Sequence, residues 1–167
     1  NAKYMLDELK LAKMKREYTA PSLDALKRDL RMHKIPKRIE CFDISHIQGT
    51  DTVASMVVFE NAKPKKSDYR KYKIRTVTNE AGEPDDFLSM REVIHRRYRK
   101  QEENMPDLVV IDGGKGQLSS AVKVLRDMGI KIANEKKDSD HEHGNGINII
   151  GLAKRLEEVY MPEDSDP

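Results

Sequence analysis

Alternating apolar and polar positions divide much of the chain into strands. Residues 38–44 are predicted to form the first strand. Residues 52–60 form a nearly continuous apolar and β-branched run, which is typical of a strand covered on both faces. Residues 68–77 alternate strictly, which predicts an outer strand with one basic face. The apolar runs 107–111 and 147–153 indicate the last two strands.

Helical spacing of apolar residues surrounds these strands. We interpret helices over 2–17 and 23–33 as a lead-in that occupies residues 1–35, ahead of a domain over 36–167. A helix is predicted from Pro84 to about Asn104, and another over 116–128. The predicted buried stripe of the longer helix is Phe87, Met90, Ile94 and Tyr98.

The order of elements predicts an α/β fold with a five-stranded mixed sheet. Short links make the first three strands an antiparallel meander, and the fourth strand, arriving after a helix, can pair in parallel with the first. The sheet order becomes 3-2-1-4-5, with flanking helices. Ligands of such sheets bind beyond the carboxyl ends of strands where connections diverge. Asp43 and Asp112 end the first and fourth strands there, so we expect them side by side.

Converging carboxylates suit hard cations such as Mg²⁺ or Mn²⁺, and two such ions ~4 Å apart can activate water against a phosphodiester. Without a metal, Asp43 would be a buried hydrogen-bond acceptor, and Asp112 a turn residue. Asp85 and Asp86 open the third predicted helix and add a third carboxylate, although either one could simply cap that helix.

The segment IDGGKGQ, residues 111–117, joins the fourth strand to a helix and lacks the P-loop spacing. Gly113 and Gly114 permit a sharp turn and a close approach of backbone to phosphate. Lys115 can balance phosphate charge, and Gln117 can hydrogen-bond near a metal.

Histidines give a weaker signal. His46 follows Asp43 by three residues and could contact a scissile phosphate or be a structural imidazole. His141 and His143 lie in the polar segment 134–146, which we interpret as a flexible surface loop rather than a metal site.

Composition limits the class of protein. The net charge is +2, so contact with nucleic acid must come from local clusters of cations. Two clusters, KPKKSDYRKYKIR and HRRYRK, interleave tyrosines with cations, although such runs are usually solvated faces. We predict sequence-independent, salt-sensitive contacts with the DNA backbone. The residues predicted to make them are Lys71, Lys73, Arg75, Arg96, Arg97 and Lys115.

Cellular context follows from what the chain contains. Its one cysteine, Cys41, cannot form an internal disulfide and fits a reducing compartment. No stretch approaches the ~18 apolar residues of a membrane span. The chain begins without Met, and we expect it to be a piece of a longer protein.

Several strings resemble the C-terminal endonuclease domain of the UvrC family: ECFDISHIQGTDTVASMVVFE, PDDFLSMREVIHRRYRK, PDLVVIDGGKGQLSSA and IIGLAKRLEEVYMP. The resemblance covers about residues 22–163. It implies a ribonuclease-H-like fold and incision 5′ to a lesion in double-stranded DNA. The setting would be bacterial nucleotide excision repair and the SOS response, in the cytoplasm, with UvrB after damage recognition by UvrA and UvrB.

The resemblance also implies that Asp43, Asp86 and Asp112 are the catalytic, metal-binding residues, with Mg²⁺ or Mn²⁺. In the family a histidine within an RDE-[SA]-H type segment completes the site. This chain ends before such a segment, so we expect a monomeric fragment that cuts weakly or not at all.

Two other interpretations remain. A non-catalytic module would dock DNA or a partner and use its acidic residues only for structure. Another ribonuclease-H-like enzyme, such as a transposase or resolvase, would explain the fold but not IDGGKGQ or GLAKRLEEV.

Overall fold

The computed structural model describes residues 21–47, 51–75, 85–100, 104–135, 146–153 and 158–162. The helix predicted over 2–17 and both loop histidines, His141 and His143, lie outside these residues. Within them, no helix has the length and apolar character needed to cross a membrane.

Within the described residues, seven strands form one mixed sheet. They are β1 (Arg38–Ile47), β2 (Asp51–Glu60), β3 (Lys63–Pro64), β4 (Arg70–Lys73), β5 (Leu108–Asp112), β6 (Asn148–Ala153) and β7 (Glu158–Tyr160). β1 pairs antiparallel with β2 and parallel with β5, and β6 lies parallel outside β5. The order β4-β2-β1-β5-β6 confirms the predicted 3-2-1-4-5 arrangement.

Two short strands were not predicted. β7 extends the sheet beyond β6, and β3 pairs with the end of β2 that β4 leaves open. A 3-10 turn over Lys66–Asp68 separates β3 from β4. The outer strand is therefore shorter than the predicted 68–77. Two segments, β3 and β4, pair with different parts of the outer edge of β2.

The described helices are α1 (residues 21–29), α2 (Asp86–Tyr98) and α3 (Lys115–Asp127). Asp85 caps α2, because its carboxylate accepts hydrogen bonds from the backbone N–H groups of Phe87 and Leu88 at 2.8 and 3.0 Å. α2 ends at Tyr98, about a turn and a half before the predicted end.

α2 and α3 cover one face of the sheet. Met90, Ile94 and Tyr98 are fully buried there, as predicted. The prediction for Phe87 is wrong, because its side chain is 52% exposed. The buried stripe of α2 begins one turn later, and the Phe87 ring lies at the surface against Gly116, where a Cβ would come within 2.5 Å of it.

The opposite face of the sheet carries a second core. Leu30 and Met32, in the segment directly after α1, pack with Leu108, Val110 and Ile150. Burial of these side chains ties the residues before β1 to the sheet. The domain boundary near residue 35 stays a prediction.

A buried carboxylate joins β1 to α2. Glu40 is fully buried, and its oxygens accept hydrogen bonds from Arg38 Nε at 3.1 Å and from the Tyr98 hydroxyl at 2.8 Å. Arg97 donates to both Glu40 oxygens, at 2.8 and 3.0 Å. Burial and the nearby Glu40 carboxylate hold the pKa of Tyr98 well above its ordinary value. This network fixes the C-terminal half of α2 against the start of β1.

We predict that Glu40→Gln lowers the free energy of unfolding by about 3–5 kcal/mol, because it removes the buried charge that Arg38 and Arg97 share. Urea denaturation measures the loss. The control Asp24→Asn changes an exposed carboxylate and should stay within about 0.5 kcal/mol of the parent. A loss below about 1 kcal/mol for Glu40→Gln would contradict the structural role given to this residue.

Candidate active site

Asp43 and Asp112 lie directly opposite one another on adjacent parallel strands. They are register partners at the end of the β1–β5 pairing, as the topology predicted. Neighbouring strands are about 4.8 Å apart, and side chains at paired positions share a face of the sheet. Ile39 and Cys41 precede Asp43 on its face and pack against the second core. The two carboxylates thus continue an apolar row at the point where that core ends.

Asp112 lies close enough to Cys41 to affect the titration of its thiol. The pKa of the Cys41 thiol is raised to about 11, first by burial and then by the negative charges of Asp112 and Glu40. The thiol therefore stays protonated through the neutral range.

Asp86 lies on the other face of the sheet, at the start of α2. Its Oδ1 is 2.7 Å from His46 Nε2, and its Oδ2 accepts a longer hydrogen bond from Gln117 at 3.4 Å. The second nitrogen of His46, Nδ1, is 3.0 Å from the Thr52 hydroxyl. Because Asp85 is the helix cap, Asp86 is the carboxylate of this pair that faces other side chains.

The turn between β5 and α3 brings Gln117 back over the backbone. Its side-chain oxygen accepts a hydrogen bond from the Gly114 N–H at 3.0 Å. A Cβ on Gly113 would lie 1.8 Å from that oxygen, so a side chain there would displace Gln117. Lys115 is exposed, and its Nζ lies 5.5 Å from the centre of the Tyr160 ring.

The predicted site residues thus fall into two groups, the Asp43–Asp112 pair and the cluster of His46, Asp86 and Gln117. Among the residues that the structure describes, no three His, Cys, Asp or Glu side chains are close enough to share one metal ion. Two carboxylates side by side still fit Mg²⁺, which often takes one or two from protein and further oxygens from substrate phosphates. The metal-binding role of Asp86 stays a prediction.

The predicted DNA contacts differ in how much they are exposed. Lys71, Lys73, Arg75 and Lys115 have exposed side chains. Arg96 donates to Glu92 and to the backbone carbonyl of Lys73. Arg97 is only 13% exposed and is paired with Glu40, so it has a structural role. A DNA contact by Arg97 stays a prediction.

Sequence reasoning did not single out Glu40. Two features of the sequence could have indicated its role. Glu40 is an acidic residue on the same face of β1 as the apolar Phe42, and the Arg97-Tyr98 pair on a helix offers it partners. The exposed cations Arg70, Arg99 and Lys100 were also not singled out, although they lie in the two quoted basic clusters.

Comparison with known families places the chain in a class of nuclease domain. The family model described as "UvrC RNAse H endonuclease domain" matches residues 27–167. The chain therefore belongs to the UvrC ribonuclease H endonuclease domain family.

Curated relatives of the chain carry the name of the same family. A UvrABC system protein C from Salinibacter ruber is 51% identical over all of this chain and 25% of its own length. One from Christiangramia forsetii is 52% identical over 85% of the chain and 21% of its own length. The chain spans about a quarter of the length of such relatives.

Solved structures of similar shape include endonuclease V from Ciona intestinalis, in a D234N form with a 23mer DNA. It has a TM-score of 0.46 and 16% identity, and the match covers 87% of this chain and 61% of that one. Human ENDOV has a TM-score of 0.45 and 15% identity, covering 90% of this chain and 63% of its own.

We predict that Asp112→Asn lowers the pKa of Cys41, because it removes a negative charge that disfavours the thiolate. At pH 8 the parent thiol should react with iodoacetamide at least tenfold more slowly than an ordinary cysteine, whose pKa is about 8.5. Alkylation rates from pH 7 to 10 measure the shift, and the variant should react faster than the parent at each pH in this range. Asp127→Asn, at an exposed position ending α3, is the control. Identical profiles of alkylation rate against pH for the parent and Asp112→Asn would mean that Asp112 is too far from Cys41 to affect its pKa.

Proposed function

We propose that this chain is the metal-dependent endonuclease domain that cuts DNA on the 5′ side of a lesion in bacterial nucleotide excision repair. The observation that carries the proposal is the pairing of Asp43 with Asp112 at the ends of two parallel strands, in a chain of the UvrC endonuclease family. Relatives named UvrABC system protein C support a place in that repair system.

Mg²⁺ or Mn²⁺ is the cofactor that suits the carboxylate pair. Asp43 and Asp112 would hold the ion, and oxygens of the DNA phosphodiester would complete its ligands. When bound, the ion supplies Lewis-acid stabilisation of the phosphoryl oxygens and lowers the pKa of water.

The surrounding residues of the chain position the substrate and the third carboxylate. His46 and Gln117 bond to different oxygens of Asp86 and so orient it at the start of α2. Lys115, exposed at the start of α3, offsets the charge of the phosphate. Along the sheet edge, Lys71, Lys73 and Arg75 contact the backbone without reading bases, which suits incision beside lesions in any sequence.

The substrate is damaged double-stranded DNA, and the partners are UvrB and the UvrA-dependent steps that precede it. Cleavage takes place in the cytoplasm, where the single cysteine stays reduced.

The test is the change corresponding to Asp112→Asn in a full-length UvrABC system protein C, assayed for incision with UvrA and UvrB on a duplex with one lesion. We expect the 5′ cut to fall by on the order of a hundredfold or more, because loss of a direct ligand should exceed the effect of losing an outer-shell residue. The change corresponding to Asp127→Asn is the matched control and should cut normally.

The Asp112→Asn protein, in complex with UvrB, should bind damaged DNA with unchanged affinity. Retention of the 5′ cut would mean that the acidic pair is structural and that the domain is a binding module.

A further inference from the structure

A cationic pocket lies at the other end of α2 from Asp86. It has a volume of about 290 Å³ and sits between α2, β4 and the 3-10 turn. Its six cationic lining residues are Arg38, Arg70, Arg96, Arg97, Arg99 and Lys100. Tyr72 also lines it, with the Arg96 guanidinium 5.3 Å from the centre of the ring.

The floor of this cationic pocket is rigid. Arg38 is bound by Glu40 and by Asp68, the latter at 2.7 Å, and Arg97 is held by Glu40. Arg96 is tied to Glu92 and to a backbone carbonyl. These guanidinium groups are fixed before any ligand arrives, which lowers the entropy cost of binding.

The rim of the pocket supplies its excess charge. Arg70, Arg99 and Lys100 are exposed, and none forms an ion pair with a carboxylate in the described part of the chain. The six cations outnumber by two the four carboxylates with which they pair there, which are Glu40, Glu60, Asp68 and Glu92. Exposed cations with no carboxylate partner among the described residues favour an anionic ligand, and guanidinium groups match the geometry of phosphate oxygens.

The position of the cationic pocket favours the phosphates of a nucleic acid as its ligand. β4 runs parallel to β1, so its exposed cations Arg70, Lys71 and Lys73 lead along the sheet edge from the pocket toward the end that carries Asp43. Arg38, which lines the pocket, lies five residues before Asp43 on β1, a length of about 16 Å at about 3.3 Å per residue. One DNA strand rises 3.4 Å per nucleotide, so this length corresponds to about five nucleotides.

We propose that the cationic pocket grips a DNA backbone phosphate about five nucleotides from the bond that is cut, and so anchors the duplex while the carboxylates act. This inference rests on the proposed function. The anchor carries no sequence information and adds to the salt dependence of binding.

The first test measures binding of this chain to a duplex as a function of salt, in Mg²⁺-free buffer, for the parent and Arg99→Ala/Lys100→Ala. We expect the variant to reduce the slope of log K against log salt by about one, the change for loss of one phosphate contact. Lys123→Ala/Lys131→Ala removes two exposed cations elsewhere and is the control, with an unchanged slope. Equal slopes for parent and pocket variant would overturn the proposal.

The second test locates the anchored phosphate. In incision by a full-length UvrABC system protein C, single methylphosphonates at three to eight nucleotides from the cut neutralise one phosphate at a time. We expect slower cutting when the neutral phosphate lies near the fifth position, and no further loss there when the Arg99 and Lys100 changes are present. Additive losses at every position would contradict the anchor.

A peptide ligand is the competing outcome. If a hexaglutamate peptide loses affinity for the pocket variant while duplex DNA does not, the pocket serves an acidic protein segment, and the proposal fails. Failure of this kind leaves the proposed function intact, because the effect of Asp112→Asn on incision is measured separately.

Discussion

Parallel pairing of β1 with β5 is the constraint on which the site depends. The register sets Asp43 beside Asp112, and it does so because five consecutive positions pair in step, from Ile39 with Leu108 onward. Apart from Glu40, the preceding positions are apolar and pack against one core or the other, so a shift of one residue would move the carboxylates out of line and turn core residues to the wrong face. The core therefore holds the two carboxylates together although their mutual repulsion favours separation. A cation bound between them would offset this repulsion.

α2 connects this site to the rest of the surface. Its first residue, Asp86, is held by side chains of β1 and α3, and its end is locked by Arg97 and Tyr98 on the buried Glu40. One helix thus fixes the spacing between Asp86 and the cationic pocket. Because Glu40 lies three residues before Asp43 on the same strand, the buried network and the carboxylate pair share one rigid element.

Topology was predictable from the sequence because the lengths of the connections and the strand periodicity allow few arrangements. The adjacency of Asp43 and Asp112 follows from that order. The order of the strands does not show which of Asp85 and Asp86 caps α2, because two neighbouring carboxylates at a helix start satisfy the same capping pattern. Glu40 and Arg97 are 57 positions apart, and their contact depends on the rotation of α2, which sequence spacing does not determine. For the same reason Arg97 looked like a surface cation. β7 was missed because three residues give too short a pattern.

The central claim is that Asp43 and Asp112 together bind a divalent cation. Calorimetric titration of this chain with Mn²⁺ tests it most directly, beside Asp43→Asn, Asp112→Asn and the control Asp127→Asn. We expect the parent and the control to bind Mn²⁺ with the same affinity and both paired variants to lose the binding heat. Equal binding by all four proteins, or no binding by the parent, would contradict a metal site formed by this pair.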